Sequence, residues 1–243
     1  MSCFPEVKKN FGFGCMRLPR KGPLIDYDQT KKMVDTFLEA GFNYFDTAHG
    51  YMEMRNEATL KKCLTSRHPR ESYILADKLS EGFFKKESQI RPLFEKQLKN
   101  CGVEYFDFYL FHDVCEMNID AYLDDEKYGI YSYLMKQKQN GRIRHLGFSC
   151  HGSIPVLQRF LDAYGKDMEF CQNLTTNSLM QYEELQMMFP KKNISFHEFP
   201  SLVSTEIALG QDVVAELDNC SKPYILFFGR ITGVIPITMP VCV

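Results

Sequence analysis

The sequence predicts an α/β protein, a parallel (β/α)8 barrel of the TIM type that is incomplete towards its C-terminal end. Three observations carry this expectation. Strand and helix signals alternate at about thirty residues per unit, the length of a β/α repeat with parallel strands. An acid, a phenol, an ammonium and an imidazole fall at or just beyond successive strand ends, where such a barrel builds its site. The alternation then stops after Gln172. At 243 residues the chain is at the short end of the roughly 250 that one such barrel needs.

A first strand is expected over 11–16. Asp28 is expected to cap the following helix, on which Met33, Val34, Phe37 and Leu38 share a face, with Gly41 ending it. A second strand spans 43–47. The segment after Arg55 reads as a helix to about Ser66, with Ala58, Leu60 and Leu64 inward, and 73–76 as a strand running up to Lys78. The next helix covers 87–101, with Ile90, Leu93, Phe94, Leu98 and Cys101 at helical spacing, and Gly102 stops it. Pro92 lies in its first turns, where it is tolerated. A dense aromatic strand over 105–111 follows. Then come a helix over 131–139 ended by Asn140-Gly141, a strand over 143–148, a helix over 154–164 and a strand over 169–172. Beyond, 205–217 reads as a helix and 223–237 as a strand, with no low-complexity linker before them. The chain therefore divides into a barrel front, 1–172, and a divergent region, 173–243, that is either an irregular completion of the barrel or a non-native tail.

Composition narrows the partners. The net charge is −2, with 29 basic and 31 acidic residues interspersed, so no basic stripe steers the chain to nucleic acid or an anionic membrane. A small-molecule partner is expected instead. The nine cysteines are scattered without a C-x-x-C pair, which suggests neither a disulfide framework nor a metal site and fits a reducing, cytoplasmic compartment. The N-terminus lacks the apolar core of a secretory signal. Residues 224–243 are apolar enough to invite a membrane-anchor reading, which Arg230, Pro236 and Pro240 oppose.

The chemistry is expected at strand ends. Asp46 ends the second strand, Tyr51 lies in the loop beyond it, Lys78 ends the third and His112 the fourth. Singly they read as a cap, a rim aromatic, a solvated charge and a satisfied core histidine. Together they form a set suited to nicotinamide-dependent carbonyl reduction. Tyrosine supplies the proton to the developing alkoxide, and its free pKa of about 10 calls for a nearby ammonium to favour the phenolate left behind. Lys78 takes that role, Asp46 holds the lysine charged and oriented, and His112 donates a hydrogen bond to the carbonyl oxygen.

These residues also resemble the aldo-keto reductases. The resemblance rests on Phe11-Gly12-Phe13-Gly14-Cys15-Met16-Arg17-Leu18-Pro19, on Gly41-Phe42-Asn43-Tyr44-Phe45-Asp46-Thr47-Ala48 with Tyr51 and Asn56-Glu57, and on Asp77-Lys78-Leu79. It continues through the run from Cys101 to His112 and through Gly141-Arg142-Ile143-Arg144-His145-Leu146-Gly147-Phe148-Ser149. It covers about residues 11–172. It implies a (β/α)8 barrel, an extended NADP(H) or NAD(H) cofactor without a Rossmann domain, and the tetrad Asp46, Tyr51, Lys78 and His112. By the same resemblance Ser149 and Gln172 contact the nicotinamide carboxamide, and Met16, Arg17 and Asp46 lie at the cofactor. The wording around Met16 and Ser149-Cys150-His151-Gly152 is most similar to bacterial members that carry a cysteine-rich iron-sulfur tail, which this sequence lacks.

The departures are Cys150 in place of the more frequent amide, and no recognisable nicotinamide-stacking aromatic or phosphate-gripping arginine segment past Gln172. They lead to the expectation that 173–243 reflects a truncation or a reading-frame change. The expected function is NAD(P)H-dependent reduction of aldehyde or ketone carbonyls. The alternative is a catalytically silent relative unable to seat the cofactor.

Overall fold

The structure is a computed structural model and describes residues 4–9, 11–173, 224–227 and 241–242. The rest of the divergent region, including the expected helix over 205–217 and most of the expected strand over 223–237, lies outside the described residues.

The alternation read from the sequence is present. The strands are β1 (Phe11–Gly14), β2 (Arg20–Lys21), β3 (Leu24–Ile25), β4 (Tyr44–Asp46), β5 (Ile74–Leu79), β6 (Phe106–Val114), β7 (Ile143–Cys150), β8 (Phe170–Asn173), β9 (Tyr224–Phe227) and β10 (Val241–Cys242). The helices are α1 (Tyr27–Glu39), α2 (Asn56–Leu60), α3 (Ile90–Cys101), α4 (Ile119–Leu123), α5 (Asp125–Tyr128), α6 (Ile130–Gln139) and α7 (Ile154–Tyr164). One sheet runs in the order β10-β8-β7-β6-β5-β4-β1-β9, and β2 pairs with β3 in a separate hairpin that the sequence reading missed. From β9 through β8 every neighbouring pair is parallel. The exception is β10, antiparallel to β8; an antiparallel edge needs no covering crossover helix. Among the described residues no pairing joins β9 to β10, so the described strands make a curved sheet rather than a closed ring.

Local signals explain most boundaries. At α1 the cap is Asp26, not Asp28: its Oδ1 accepts the Gln29 amide at 3.0 Å, while Asp28 sits in the first turn. At α3 all five expected apolar positions are buried, and Gly102 takes the left-handed conformation (φ 69°) that ends the helix. At α2, continued by a π-helical turn Lys61–Thr65, Leu60 and Leu64 are buried as expected, but Ala58 is exposed. The helix is rotated because Asn56 and Glu57 find buried polar partners, Asn56 with Thr47 and Glu57 with His49 and Asn100.

Two apolar cores result. The outer faces of the strands pack on the helices around Phe45, Leu75, Tyr109, Phe111 and Phe148. The inner faces gather Tyr44, Ile74, Ala76, Phe108, Leu110 and Phe170. Here β7 comes against β8 without a side chain: a Cβ on Gly147 would lie 2.5 Å from the Phe170 carbonyl oxygen. Residues 4–9, unassigned from sequence, close the N-terminal end of this interior. Phe4 and Val7 join the inner cluster, with Phe4 edge-on to Phe108 at 4.9 Å between ring centroids.

An ionic latch holds that plug. His145 on β7 reaches Glu6 Oε1 with Nε2 at 2.5 Å and Glu169 Oε2 with Nδ1 at 2.7 Å. Burial opposes the imidazolium, but the two carboxylates outweigh it and raise the histidine above its ordinary value. A raised folded-state value stabilises fully below the unfolded pKa of about 6.5 and is lost as pH climbs through the folded value. Thermal unfolding should therefore shift downward by about 2–4 °C per kcal/mol lost between mildly acidic and alkaline pH. His145→Gln should flatten that slope, and equal slopes in the two proteins would show that the latch does not titrate.

Candidate active site

Strand alternation builds the site. Side chains two apart share a face, so on the inner face Asp46 follows Tyr44, Lys78 follows Ile74 and Ala76, and His112 follows Phe108 and Leu110. By the same period Ser149 follows Gly147, and Gln172 follows Phe170. Register aligns these positions across the sheet, with Asp46 opposite Ala76, Lys78 opposite Leu110 and Ser149 opposite Gln172. Polar residues thus form the layer just above an apolar filling, at the C-terminal strand ends.

The centre is Lys78, whose side chain is 2% exposed. Its Nζ donates to Asp46 Oδ1 at 2.6 Å and Oδ2 at 2.8 Å, to the Thr47 carbonyl at 2.7 Å and to Tyr51 Oη at 3.4 Å. Burial works against the ammonium, but Asp46 and Tyr51 outweigh it and hold Lys78 charged, above the usual lysine range. Burial likewise pushes up Asp46, while Lys78 and a hydrogen bond from Gln172 pull it back. Tyr51 is pushed up to about 12, by burial first, with Lys78 pulling the other way. Sequence reasoning expects the ammonium to acidify the phenol. It does pull in that direction, but desolvation is larger, and the phenol stays protonated at neutral pH.

Tyr51 is held by an unusual turn. Its amide donates to Ala48 O, and Met52, Glu53 and Met54 follow it with φ of 53°, 55° and 64°. Left-handed backbone costs about 1–2 kcal/mol per non-glycine residue, so this run needs tying down. Arg20 from the hairpin and Arg55 both pair with Glu53, and Arg55 also donates to Met52 O. The missed hairpin therefore braces the loop that carries Tyr51.

His112 and Tyr51 meet edge to face, 5.9 Å between centroids, on a cavity of about 440 Å³ whose walls include Gly50, Ser80, Phe83, Asp113 and Met117. Burial first, then the Lys78 charge, keeps the His112 imidazole well below its ordinary value and hence neutral. Ser149 Oγ accepts the Asp113 amide at 2.7 Å. Gln172 is buried, and its Oε1 has no hydrogen-bond partner. Met16 and Arg17 lie on the exposed loop after β1, outside the Lys78 cluster. Sequence reasoning missed Ser80, Asp113 and Tyr122. Extending the period-two pattern Ala76, Lys78 by one step would have flagged Ser80, whereas Asp113 (φ 56°) and Tyr122 carry no local signal. Among the described residues no group of three or more His, Cys, Asp or Glu could hold a metal ion, and no helix is long and apolar enough to cross a membrane.

The sequence and fold match known proteins. A family model described as Aldo/keto reductase family matches residues 10–205. The chain is 30% identical over 148 residues to an uncharacterized oxidoreductase, YqkF, of Bacillus subtilis, covering 57% of this chain and 44% of that protein. It is 34% identical over 103 residues to a 4-dihydromethyl-trisporate dehydrogenase of Mucor mucedo, covering 42% and 30%. Both matches span less than half of the relative's length. A crystal structure of an aldo/keto reductase from Klebsiella pneumoniae, in complex with NADP and acetate, shares the fold with a TM-score of 0.57 at 18% identity, covering 74% of this chain and 60% of that one.

Proposed function

This chain belongs to the aldo/keto reductase family, and we propose that it reduces aldehyde or ketone carbonyls with Tyr51 as proton donor and NADP(H) or NAD(H) as hydride carrier. The observation that carries the reading is the buried Lys78, bound to Asp46 and within 3.4 Å of the Tyr51 hydroxyl.

The residues present fit a nicotinamide. Gln172 Oε1 is an orphaned buried acceptor suited to a carboxamide N–H. Ser149, accepting from the Asp113 amide, keeps its own proton to donate to a carboxamide oxygen. Met16, Arg17 and Asp46 complete the proposed cofactor set. When bound, the reduced nicotinamide supplies a hydride to the carbonyl carbon and is oxidised. The chain supplies the rest: Tyr51 gives its proton to the carbonyl oxygen, and Lys78 stabilises the phenolate left behind until solvent reprotonates it. His112, neutral, orients the carbonyl by a hydrogen bond. Phe83 and Met117 line the cavity where the apolar body of a substrate would lie. Cys15, Cys63, Cys101, Cys115, Cys150 and Cys171 are free thiols, in keeping with the reducing, cytoplasmic setting proposed for the chain.

Titration with NADPH should shift its emission at micromolar cofactor, and absorbance at the reduced-nicotinamide band should fall when simple aldehydes are added. Gln172→Leu should weaken cofactor binding by roughly tenfold, the equivalent of one lost buried hydrogen bond. An unchanged emission would sink the reductase reading and leave a catalytically silent relative.

A further inference from the structure

Ser80 has no role in the chemistry above, yet its side chain makes a close contact with it. One residue past β5, it places Oγ 2.5 Å from His112 Nδ1. The neutral imidazole carries a single N–H, and the partner at one ring nitrogen decides which of the two bears it. Resting on the reading of His112 as a donor to the substrate, we propose that Ser80 is a positioning residue: its hydroxyl donates to Nδ1 and so places the imidazole proton on Nε2, facing the substrate carbonyl oxygen.

The surroundings hold this pair in place. The Tyr122 hydroxyl, fully buried, accepts the Glu81 amide at 3.2 Å and lies 3.0 Å from Leu79 O and 2.7 Å from His112 O. One oxygen atom thus pins the residue before Ser80, the residue after it and the backbone of His112. The Ser80 carbonyl also accepts from the Phe83 amide, which opens the short turn Glu81–Phe83. The opposite tautomer, with Nδ1–H donating to Ser80, would turn an Nε2 lone pair towards the carbonyl oxygen, opposing two acceptors where the reaction needs a donor. In a neutral imidazole, then, a serine hydroxyl at this spot decides whether the ring helps or hinders reduction.

The test is a two-bond proton-nitrogen correlation spectrum of the full chain with labelled histidine. Native His112 should give the pyrrole-type shift at Nε2 and the pyridine-type shift at Nδ1. Ser80→Ala should shift the population towards Nδ1–H and lower kcat roughly tenfold, as loss of an orienting partner does, with NADPH affinity unchanged. Ser80→Thr, which keeps the hydroxyl, should restore both the spectrum and the rate. An Nδ1–H signal in the native chain, an unchanged tautomer in Ser80→Ala, or a changed tautomer with an unchanged rate would each overturn the assignment. The spectrum needs no turnover. A native chain that reduces nothing would defeat the reductase reading, while Ser80's hold on the tautomer would still be decided.

Discussion

Tyr51→Phe is expected to abolish carbonyl reduction while leaving NADPH binding nearly intact. The substitution removes one oxygen that sits 3.4 Å from Lys78 Nζ and is the only acid facing the cavity that the geometry couples to a buried ammonium among the described residues. The ring remains to pack edge-on to His112. General acid catalysis of this kind contributes about 10²–10⁴-fold, which sets the expected fall in kcat. Because burial pushes the phenol up to about 12, Tyr51 stays protonated and the native reduction rate should not lose its acid across the neutral range. Its alkaline limb should appear only as pH approaches that value. Steady-state kinetics with an aldehyde, beside an emission titration with NADPH, checks both halves. Equal loss of turnover and cofactor affinity would show that the tyrosine serves binding, not proton transfer.

Lys78→Met is expected to give the largest loss of stability of any single change at the site. Its ammonium compensates Asp46, which is fully buried, and removing one partner of a buried pair costs about 3–5 kcal/mol because the other charge is left uncompensated. The carbonyl of Thr47 loses its donor at the same time. The defect should shrink as pH falls, since burial already raises the Asp46 carboxyl and protonation would relieve it. Adding Asp46→Asn should recover much of the stability without recovering turnover. Urea unfolding of the two single variants and the double variant measures the coupling. Additive losses would mean that the two groups are not an ion pair in solution.

Much of this could be seen in the residues beforehand. Helix α3 follows from its apolar spacing and from Gly102, α6 from its Asn140-Gly141 stop, and α7 has the predicted bounds. Asp46, Lys78 and His112 could be singled out because each ends an apolar run, a local signal. What escaped depends on contacts distant in sequence. The plug of residues 4–9 is recognisable only by the aromatic pocket it fills, from Phe108 and Phe170. The rotation of α2, which exposes Ala58, is set by partners such as His49 and Asn100 that no helical period reveals. The brace of Arg20 on Glu53 spans two loops with no shared pattern.

By itself the amino-acid order determined the alternation of strand and helix, which side chains share the inner face, and the identity of the acid, ammonium, phenol and imidazole at strand ends. Those are consequences of backbone periods, which act over a few residues. Only the tertiary structure decided the ionisation of the set: that desolvation outweighs Lys78 at Tyr51, that Asp46 keeps Lys78 charged, and that Ser80 rather than a carboxylate faces His112 Nδ1. Charge states depend on what surrounds a group in three dimensions, and strands far apart in the chain supply those surroundings.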